Sequence, residues 1–247
     1  MGSFGPRPQV AEISQGIASA IADAPFAPVL PGEVERKARL YRRFDRYLSG
    51  GNVLVELGCG DGGALDQFHS RYRIAIGIDG SLTRFRMRSG TRVGWSMVLA
   101  DLNRPFPLRA GSVDAVFLNQ VIEHLADPRH LADEVRRLLK ADGIALVTTP
   151  NLRYLGHLQR LVMRGRGPRT GDSIDIDGPW DNGHIHYFTH SDLREIFLDA
   201  GFKKVESRAL VNLEGARPWL RNLLDRRSSS YIVREFLSGN ILLTATK

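Results

Sequence analysis

The chain has 247 residues, 43% of them hydrophobic and 25% charged, the make-up of one full-sized globular domain with additions. No apolar run approaches the ~20 residues of a membrane span, no basic segment followed by an apolar stretch marks a secretion signal, and the single cysteine, Cys59, excludes an internal disulfide; a cytoplasmic protein is expected. The net charge of +7 rests almost wholly on arginine, which suits either an anionic partner or a dispersed basic surface; no nucleic-acid-binding module is legible, and none is expected.

Residues 1–31 are rich in Gly, Pro, Ala and Ser. Residues 33–48, "EVERKARLYRRFDRYL", read as a helix with Val34, Leu40, Tyr41, Phe44, Tyr47 and Leu48 on its apolar side. An alternation then begins. "NVLVEL" is a buried strand, residues 63–72 a helix, "RIAIGID" a second strand, "LTRFRMRS" a helix and "GWSMVLAD" a third strand. "SVDAVFLNQ" is a fourth strand, residues 128–139 a helix, and "GIALVTTP" a fifth strand. Strands alternating with helices imply right-handed βαβ units and a parallel sheet. Residues 152–183 interrupt the rhythm: a helix in "RYLGHLQRLVM" gives way to a Gly-, Arg- and Asp-rich stretch, the composition of a lid or binding loop. "THSDLREIFLDAGF" is a helix capped by Thr189 or Ser191 and stopped by Gly201. "KKVESRAL" is a sixth strand and "ILLTATK" a seventh, with residues 211–240 between them partly helical.

The stretch "VLVELGCGDGG" supports two readings. Gly58, Gly60 and Gly63 form G-x-G-x-x-G, the dinucleotide turn. Glu56, Gly58, Gly60 and Gly62 form acidic-x-G-x-G-x-G. Either way glycines bring backbone close to a ligand, and the next helix aims its N-terminus there. Asp79, 19 residues after Gly60, ends the second strand, where a carboxylate accepts ribose hydroxyls of either ligand. Glu56 discriminates: it is unwelcome beside a pyrophosphate and suits an ammonium. Asp101, ending the third strand, can accept from an adenine amino group. An NAD-dependent oxidoreductase gives Glu56 and Asp101 no role, and no hydride-relay Tyr/Lys pair is evident. A binding module that keeps the fold without turnover is the alternative from another class.

In order and spacing, "VLVELGCGDGG", "IGIDGS", "LADLNRPFPLRAGSVDAVFLNQVIEHLADP" and "LLKADGIALVTTPN" resemble the core motifs of class I S-adenosylmethionine-dependent methyltransferases. "GHIHYFTHSDLREIFLDAGF" resembles the branch of the ubiquinone-biosynthesis O-methyltransferases. The resemblance implies a Rossmann-like α/β fold: seven strands, mostly parallel, the last antiparallel, flanked by helices and topped by a helical cap or lid. Residues 1–49 would be an N-terminal cap and tail, and 50–247 the methyltransferase domain. Within it, 152–183 would be the lid and 211–240 a second cap segment. It also implies that Gly58 and Gly60 lie under the methionine part of S-adenosylmethionine, with Cys59 between them as packing, and Glu56 near its amino group. Asp79, with Gly80 beside it, would serve the ribose, Asp101 and Leu102 the adenine, and Asn119 the amino-acid moiety.

Methyl transfer from a sulfonium is an in-line displacement, so the enzyme aligns the acceptor and, for a hydroxyl, removes its proton. In "QVIEHL", His124 is the natural base, since an imidazole titrates near neutrality; a histidine that only shapes the pocket is equally compatible, and Glu123 stands beside it. In some related O-methyltransferases an E-x-x-E-H motif and a later histidine hold a divalent metal. Here the first glutamate is Gln120, leaving Glu123, His124 and His184 as ligands; the metal is the less favoured alternative. Tyr154, Trp180, His184 and His186 are candidates to meet the acceptor. The acceptor is expected to be a small molecule or a sugar or glycan precursor, methylated on oxygen. The sequence leaves its identity, nitrogen or carbon acceptors and the oligomeric state open.

Overall fold

The computed structural model describes residues 39–81, 94–165, 183–211, 223–224 and 226–247. Seven strands form one sheet: β1 Gly51–Leu57, β2 Tyr72–Asp79, β3 Ser96–Leu99, β4 Val113–Asn119, β5 Leu139–Pro150, β6 Lys204–Leu210 and β7 Asn240–Thr246. Their order is β3-β2-β1-β4-β5-β7-β6. The first five run parallel, and β7 is antiparallel to both β5 and β6. The expected architecture is therefore present. The chain winds outward from β1 to β3 and then returns to place β4 on the other side of β1. The winding order thus reverses between β1 and β4, and in open α/β sheets ligands are held outside the carboxyl ends of the strands at such a point.

Helices cover both faces. They are α1 Gly63–Phe68, α2 Pro128–Leu138, α3 Leu155–Arg164, α4 His190–Asp199 and α5 Tyr231–Phe236. The period of two along each strand divides the core. Val55, Val116, Leu118 and Val147 pack with Leu131 and Val135 of α2 and Leu193 and Phe197 of α4. Leu54, Phe117, Leu146 and Leu242 face the other way, against Leu65 and Phe68 of α1 and Tyr41, Phe44 and Leu48. No helix of the described residues is long and apolar enough to cross a membrane.

Several elements differ from their expected bounds. α1 stops at Phe68, a 3-10 turn follows at His69–Arg71, and Tyr72 joins β2 opposite Gly51. The first helix is described only from residue 39 and tightens into a 3-10 turn at Arg42–Phe44. β5 begins early, at Leu139, because Leu139 pairs with Val113 and the Lys140 ammonium reaches Asp114 at 2.8 Å. Thr189, not Ser191, caps α4, through a capping box with Asp192. The helix expected in residues 82–89, residues 212–222 of the second cap segment, and most of the 152–183 lid, Trp180 included, lie outside the described residues.

His190, the first residue of α4, is 1% exposed. Burial, aided by the Arg234 and Arg153 charges, pushes its imidazole down to about 3. The folded state keeps it neutral while the unfolded chain takes a proton below about 6.5. Stability present above pH 6.5 is therefore lost as pH falls toward 3, by about 1.4 kcal/mol per pH unit for one proton. His190→Phe should lack this component. Urea unfolding at pH 7.5 and 4.5 should show the wild type losing about 3 kcal/mol more than the variant; equal losses would mean His190 is protonated in the fold.

Candidate active site

The turn after β1 is held by backbone. Gly58 and Cys59 both donate to the Ile78 carbonyl, at 2.7 and 3.2 Å, and Gly62 donates to Cys59 at 2.7 Å. Gly58, Gly60 and Gly62 all have positive φ, at 68°, 52° and 77°, a region where a side chain is strained. A Cβ on Gly58 would overlap Val121 Cγ2, whereas one on Gly60 would meet nothing within 4 Å. Gly58→Ala should therefore cost about 2 kcal/mol or more, from strain plus overpacking. Gly60→Ala should cost only the strain of about 1 kcal/mol. Thermal denaturation of the two variants reads this directly; an equal drop in Tm would remove Val121 from the account.

Glu56, Asp79 and Asp101 sit at or just past the carboxyl ends of the adjacent strands β1, β2 and β3. Glu56 is 4% exposed, and its Oε2 has no hydrogen-bond partner. Burial raises its carboxyl well above the usual range, against a hydrogen bond from the Leu65 backbone and with the Asp61 and Asp79 carboxylates adding to the rise. A partnerless, buried acceptor at a strand end fits a cationic ligand. Asp79, 6% exposed, accepts from the Gly60 amide at 2.8 Å and the Ser81 amide at 2.7 Å, one on each oxygen. It thus ties the end of β2 to the glycine turn. Gly80 beside it is exposed, and a Cβ there would meet only the Ala100 carbonyl. Asp101 is exposed and follows β3; the Asn103 backbone and then side-chain amide lower its carboxyl, with both bonds on Oδ1 at 2.9 and 3.0 Å. Asn103 in turn accepts from the Ala126 amide at 2.8 Å, joining this loop to the one after β4. Leu102 and Cys59 are buried. Cys59 belongs to the core cluster of α1, and its Sγ lies where a Cβ on Gly77 would fall.

At the end of β4, Asn119 Oδ1 accepts from the Thr148 hydroxyl at 2.7 Å. Gln120 has φ +57°, the one non-glycine residue with positive φ among the described residues. Such strain persists only where neighbours impose it, and it clusters at functional sites. It turns the chain into the 3-10 turn Ile122–His124. Glu123, 1% exposed, accepts from the Thr149 hydroxyl at 3.0 Å through Oε2, while Oε1 is buried without a partner. Burial pushes its carboxyl up to about 7. The Glu123 carbonyl accepts from the Ile185 and His186 amides at 2.9 and 3.1 Å. That pairing carries His184 onto His124, with ring centroids 4.6 Å apart. One ligand atom from each of Glu123, His124 and His184 lies within 4.8 Å of the others. His124 Nδ1 lies 3.1 Å from the Gly183 carbonyl. A carbonyl only accepts, so Nδ1 carries a proton, and in the neutral ring it is then Nε2 that holds the lone pair. His186 instead leans toward the Ala126 carbonyl at 3.4 Å and on Phe188. Tyr154 caps α3 and stacks edge-on with His157.

The structure therefore brings together Glu56, Gly58, Gly60, Asp79 and Asn119 at the carboxyl ends of the adjacent strands β1, β2 and β4, and clusters Glu123, His124 and His184 with one another just past β4. Thr148, Thr149, Gln120 and Ser81 complete these contacts and were not expected to do so from the sequence; for the two threonines, the doublet in "VTTP" at a strand end was the one visible signal.

A family model described as "Methyltransferase domain" matches residues 33–207. The chain belongs to the S-adenosylmethionine-dependent methyltransferase family. The cofactor is S-adenosylmethionine. A Mycobacterium tuberculosis protein named "Probable S-adenosylmethionine-dependent methyltransferase" is 29% identical over 182 residues, 72% of this chain and 57% of that one. A "Ubiquinone biosynthesis O-methyltransferase" of Cupriavidus pinatubonensis is 29% identical over 65% of this chain and 64% of its own length. The chain spans a little over half the length of the first curated relatives it matches. In fold, the chain is similar to a SAM-dependent methyltransferase from Archaeoglobus fulgidus, with a TM-score of 0.58 at 19% identity, covering 85% of this chain and 92% of that one.

Proposed function

We propose that this methyltransferase acts on an oxygen of a small-molecule acceptor or a sugar or glycan precursor, with His124 as the base. The observation that carries the reading is His124 itself: Nδ1 is held by the Gly183 carbonyl and the ring braced by His184, which leaves Nε2 as the available acceptor next to β4. The O-methyltransferase named above supports oxygen as the acceptor atom.

Bound S-adenosylmethionine supplies an electrophilic methyl on a sulfonium. Glu56 would accept from its ammonium, through the oxygen that has no other partner. Asp79 keeps lone pairs for the ribose hydroxyls while bracing the Gly60 amide. Asp101 and Leu102 would border the adenine, and Asn119, oriented by Thr148, the amino-acid part. His124 would take the proton of the acceptor hydroxyl as that oxygen displaces the methyl group from sulfur, the methyl–sulfur bond breaking and S-adenosylhomocysteine leaving, a contribution of about 10²–10⁴ in rate for such bases. His184, His186 and Tyr154 are placed to meet the acceptor.

The test is transfer of labelled methyl to a panel of phenols, sugars, carboxylic acids and amines. Transfer to oxygen acceptors, lost in His124→Ala, is expected. Transfer confined to amines, or cofactor binding with transfer to nothing, would overturn the reading.

A second reading has its own observation, the convergence of Glu123, His124 and His184, with a buried, unpartnered Glu123 Oε1 among them. Two imidazoles and a carboxylate suit a divalent transition-metal ion. Such an ion would lower the pKa of a coordinated hydroxyl. Cobalt(II) absorption, present in the wild type and lost in Glu123→Gln, would support it independently of activity.

A further inference from the structure

The first half of the glycine turn is anchored to β2: Gly58 and Cys59 donate to the Ile78 carbonyl, and Gly60 to Asp79. The second half is held differently. The Gly62 and Gly63 amides donate within the turn, to the Cys59 carbonyl at 2.7 Å and to Asp61 Oδ1 at 3.2 Å. Such bonds shape the turn without fixing it to the sheet. A side chain from the residue before β3 supplies that link. Trp95 is 8% exposed and packs in the core cluster with Leu65 and Phe68 of α1. Its six-membered ring lies against Gly62: a Cβ built on that glycine would overlap Cζ2 and Cη2. Its Nε1 donates to Asp66 Oδ1 at 2.9 Å, and the Asp66 amide donates to the Gly62 carbonyl at 3.0 Å. Gly62, the first turn of α1 and the indole therefore close a ring of contacts. The chain leading to Trp95 is placed as well. Gly94 has φ +94°, and a Cβ on it would overlap the imidazole of His69, in the 3-10 turn after α1.

We propose that Trp95 is a positioning residue for cofactor binding, its indole, oriented by Asp66, setting the conformation of the second half of the glycine turn. The proposal rests on the placement of S-adenosylmethionine at that turn. Gly62 has φ +77°, and a glycine has other conformations open to it. A flat ring lets the backbone come to contact distance and leaves it no room to swing. A buried indole needs a partner for its N–H. Here the partner is an exposed carboxylate whose own amide is bonded to Gly62, so the bond that satisfies the indole also ties it to the turn. Without the ring, the turn keeps every group that meets the ligand but has more conformations to lose on binding, and affinity falls. A tryptophan that only fills the core would affect stability alone.

Calorimetric titration of the full chain with S-adenosylhomocysteine, paired with thermal denaturation, tests this. The proteins are wild type, Trp95→Phe, Asp66→Ala, Asp66→Asn, the double variant Asp66→Ala/Trp95→Phe, and Phe44→Leu as a control in the same core cluster. Trp95→Phe should raise the Kd about tenfold or more, and Asp66→Ala about fivefold. Asp66→Asn keeps an acceptor oxygen and should recover most of that loss. Adding Asp66→Ala to Trp95→Phe should cost nothing further, since both remove the same bond. Phe44→Leu should lower Tm and leave the Kd within about twofold of wild type. Asp66 is exposed, so its variants keep the test open if Trp95→Phe folds poorly.

A second readout is the ¹⁹F spectrum of protein labelled with 5-fluorotryptophan. The chain has three tryptophans. The line missing from Trp95→Phe belongs to Trp95, and it should shift when wild type is saturated with S-adenosylhomocysteine. A lowered Tm with unchanged Kd in Trp95→Phe, additive losses in the double variant, or a Trp95 line that stays in place would reduce Trp95 to core packing and overturn the proposal. Asp79→Ala, titrated alongside, separates the two failures. Weakened binding in Asp79→Ala alone sinks the role of Trp95 and keeps the cofactor at the turn. Unchanged binding in Asp79→Ala, Trp95→Phe and Asp66→Ala alike would take the cofactor away from the turn and sink both.

Discussion

Asp79→Ala should raise the Kd for S-adenosylhomocysteine at least a hundredfold, about 2.8 kcal/mol. The effect exceeds that of losing one ligand contact because this carboxylate does two things. It braces the Gly60 amide at 2.8 Å and the Ser81 amide at 2.7 Å, so the glycine turn and the loop after β2 are both fixed by it. Each charge-assisted bond is worth about 1.5–3 kcal/mol, and each amide left buried without a partner carries a penalty. It also supplies the lone pairs proposed to meet the ribose. Asp79→Asn should be nearly as damaging. An asparagine has one acceptor oxygen, so its amide nitrogen would face either the Gly60 or the Ser81 N–H, donor against donor. Calorimetric titration of both variants decides the matter. An affinity within threefold of wild type for either would mean that Asp79 holds the loop without touching the cofactor.

The parallel strands are legible in the sequence because a strand buried on both faces reads as an unbroken apolar run. β1, β2 and β4 fall where "NVLVEL", "RIAIGID" and "SVDAVFLNQ" place them. What the runs do not encode is where pairing overrides local signal. Lys140 and Asp142 look like a turn before β5, yet pairing of Leu139 with Val113 and the Lys140–Asp114 ion pair carry them into the strand. Tyr72 looks like a helix end, yet β2 takes it because its side chain is buried opposite Gly51. The site divides in the same way. Glu56, Asp79 and Asp101 are visible because acids that close apolar runs stand out. Gln120 is not, because a positive φ leaves no trace in a glutamine. Thr149 is not, because its role depends on which face of β5 it occupies. His184 meets Glu123 only through backbone pairing of residues 185 and 186 with the Glu123 carbonyl, far back along the chain. Family resemblance, and not periodicity, put them in one list.

His124→Ala should lower kcat by about 10²–10⁴, with S-adenosylhomocysteine affinity unchanged within twofold. The separation is expected because, among the described residues, the imidazole's polar and ring contacts are the Gly183 carbonyl and the His184 ring, neither of them on the cofactor side. His184→Ala should cost less. It removes the brace but leaves Nδ1 on the carbonyl, so the base is present and badly held, and a loss in kcat of tenfold or more with a small change in KM is the expected signature of a positioning residue. Glu123→Gln separates the two chemistries proposed for this cluster. Glu123 is buried against Thr149, and burial favours its neutral form. A glutamine of the same shape replaces that neutral acid closely, so under base catalysis kcat should fall by no more than a few-fold. Under metal assistance the same substitution removes a ligand, and all three variants should fall together, since a three-residue site loses its ion when any member goes. Chelation of the wild type gives the cross-check: activity retained in excess chelator, with Glu123→Gln near wild type, leaves His124 as the base. Collapse in chelator, restored by a divalent ion and absent in Glu123→Gln, would transfer the proton chemistry from the imidazole to the metal.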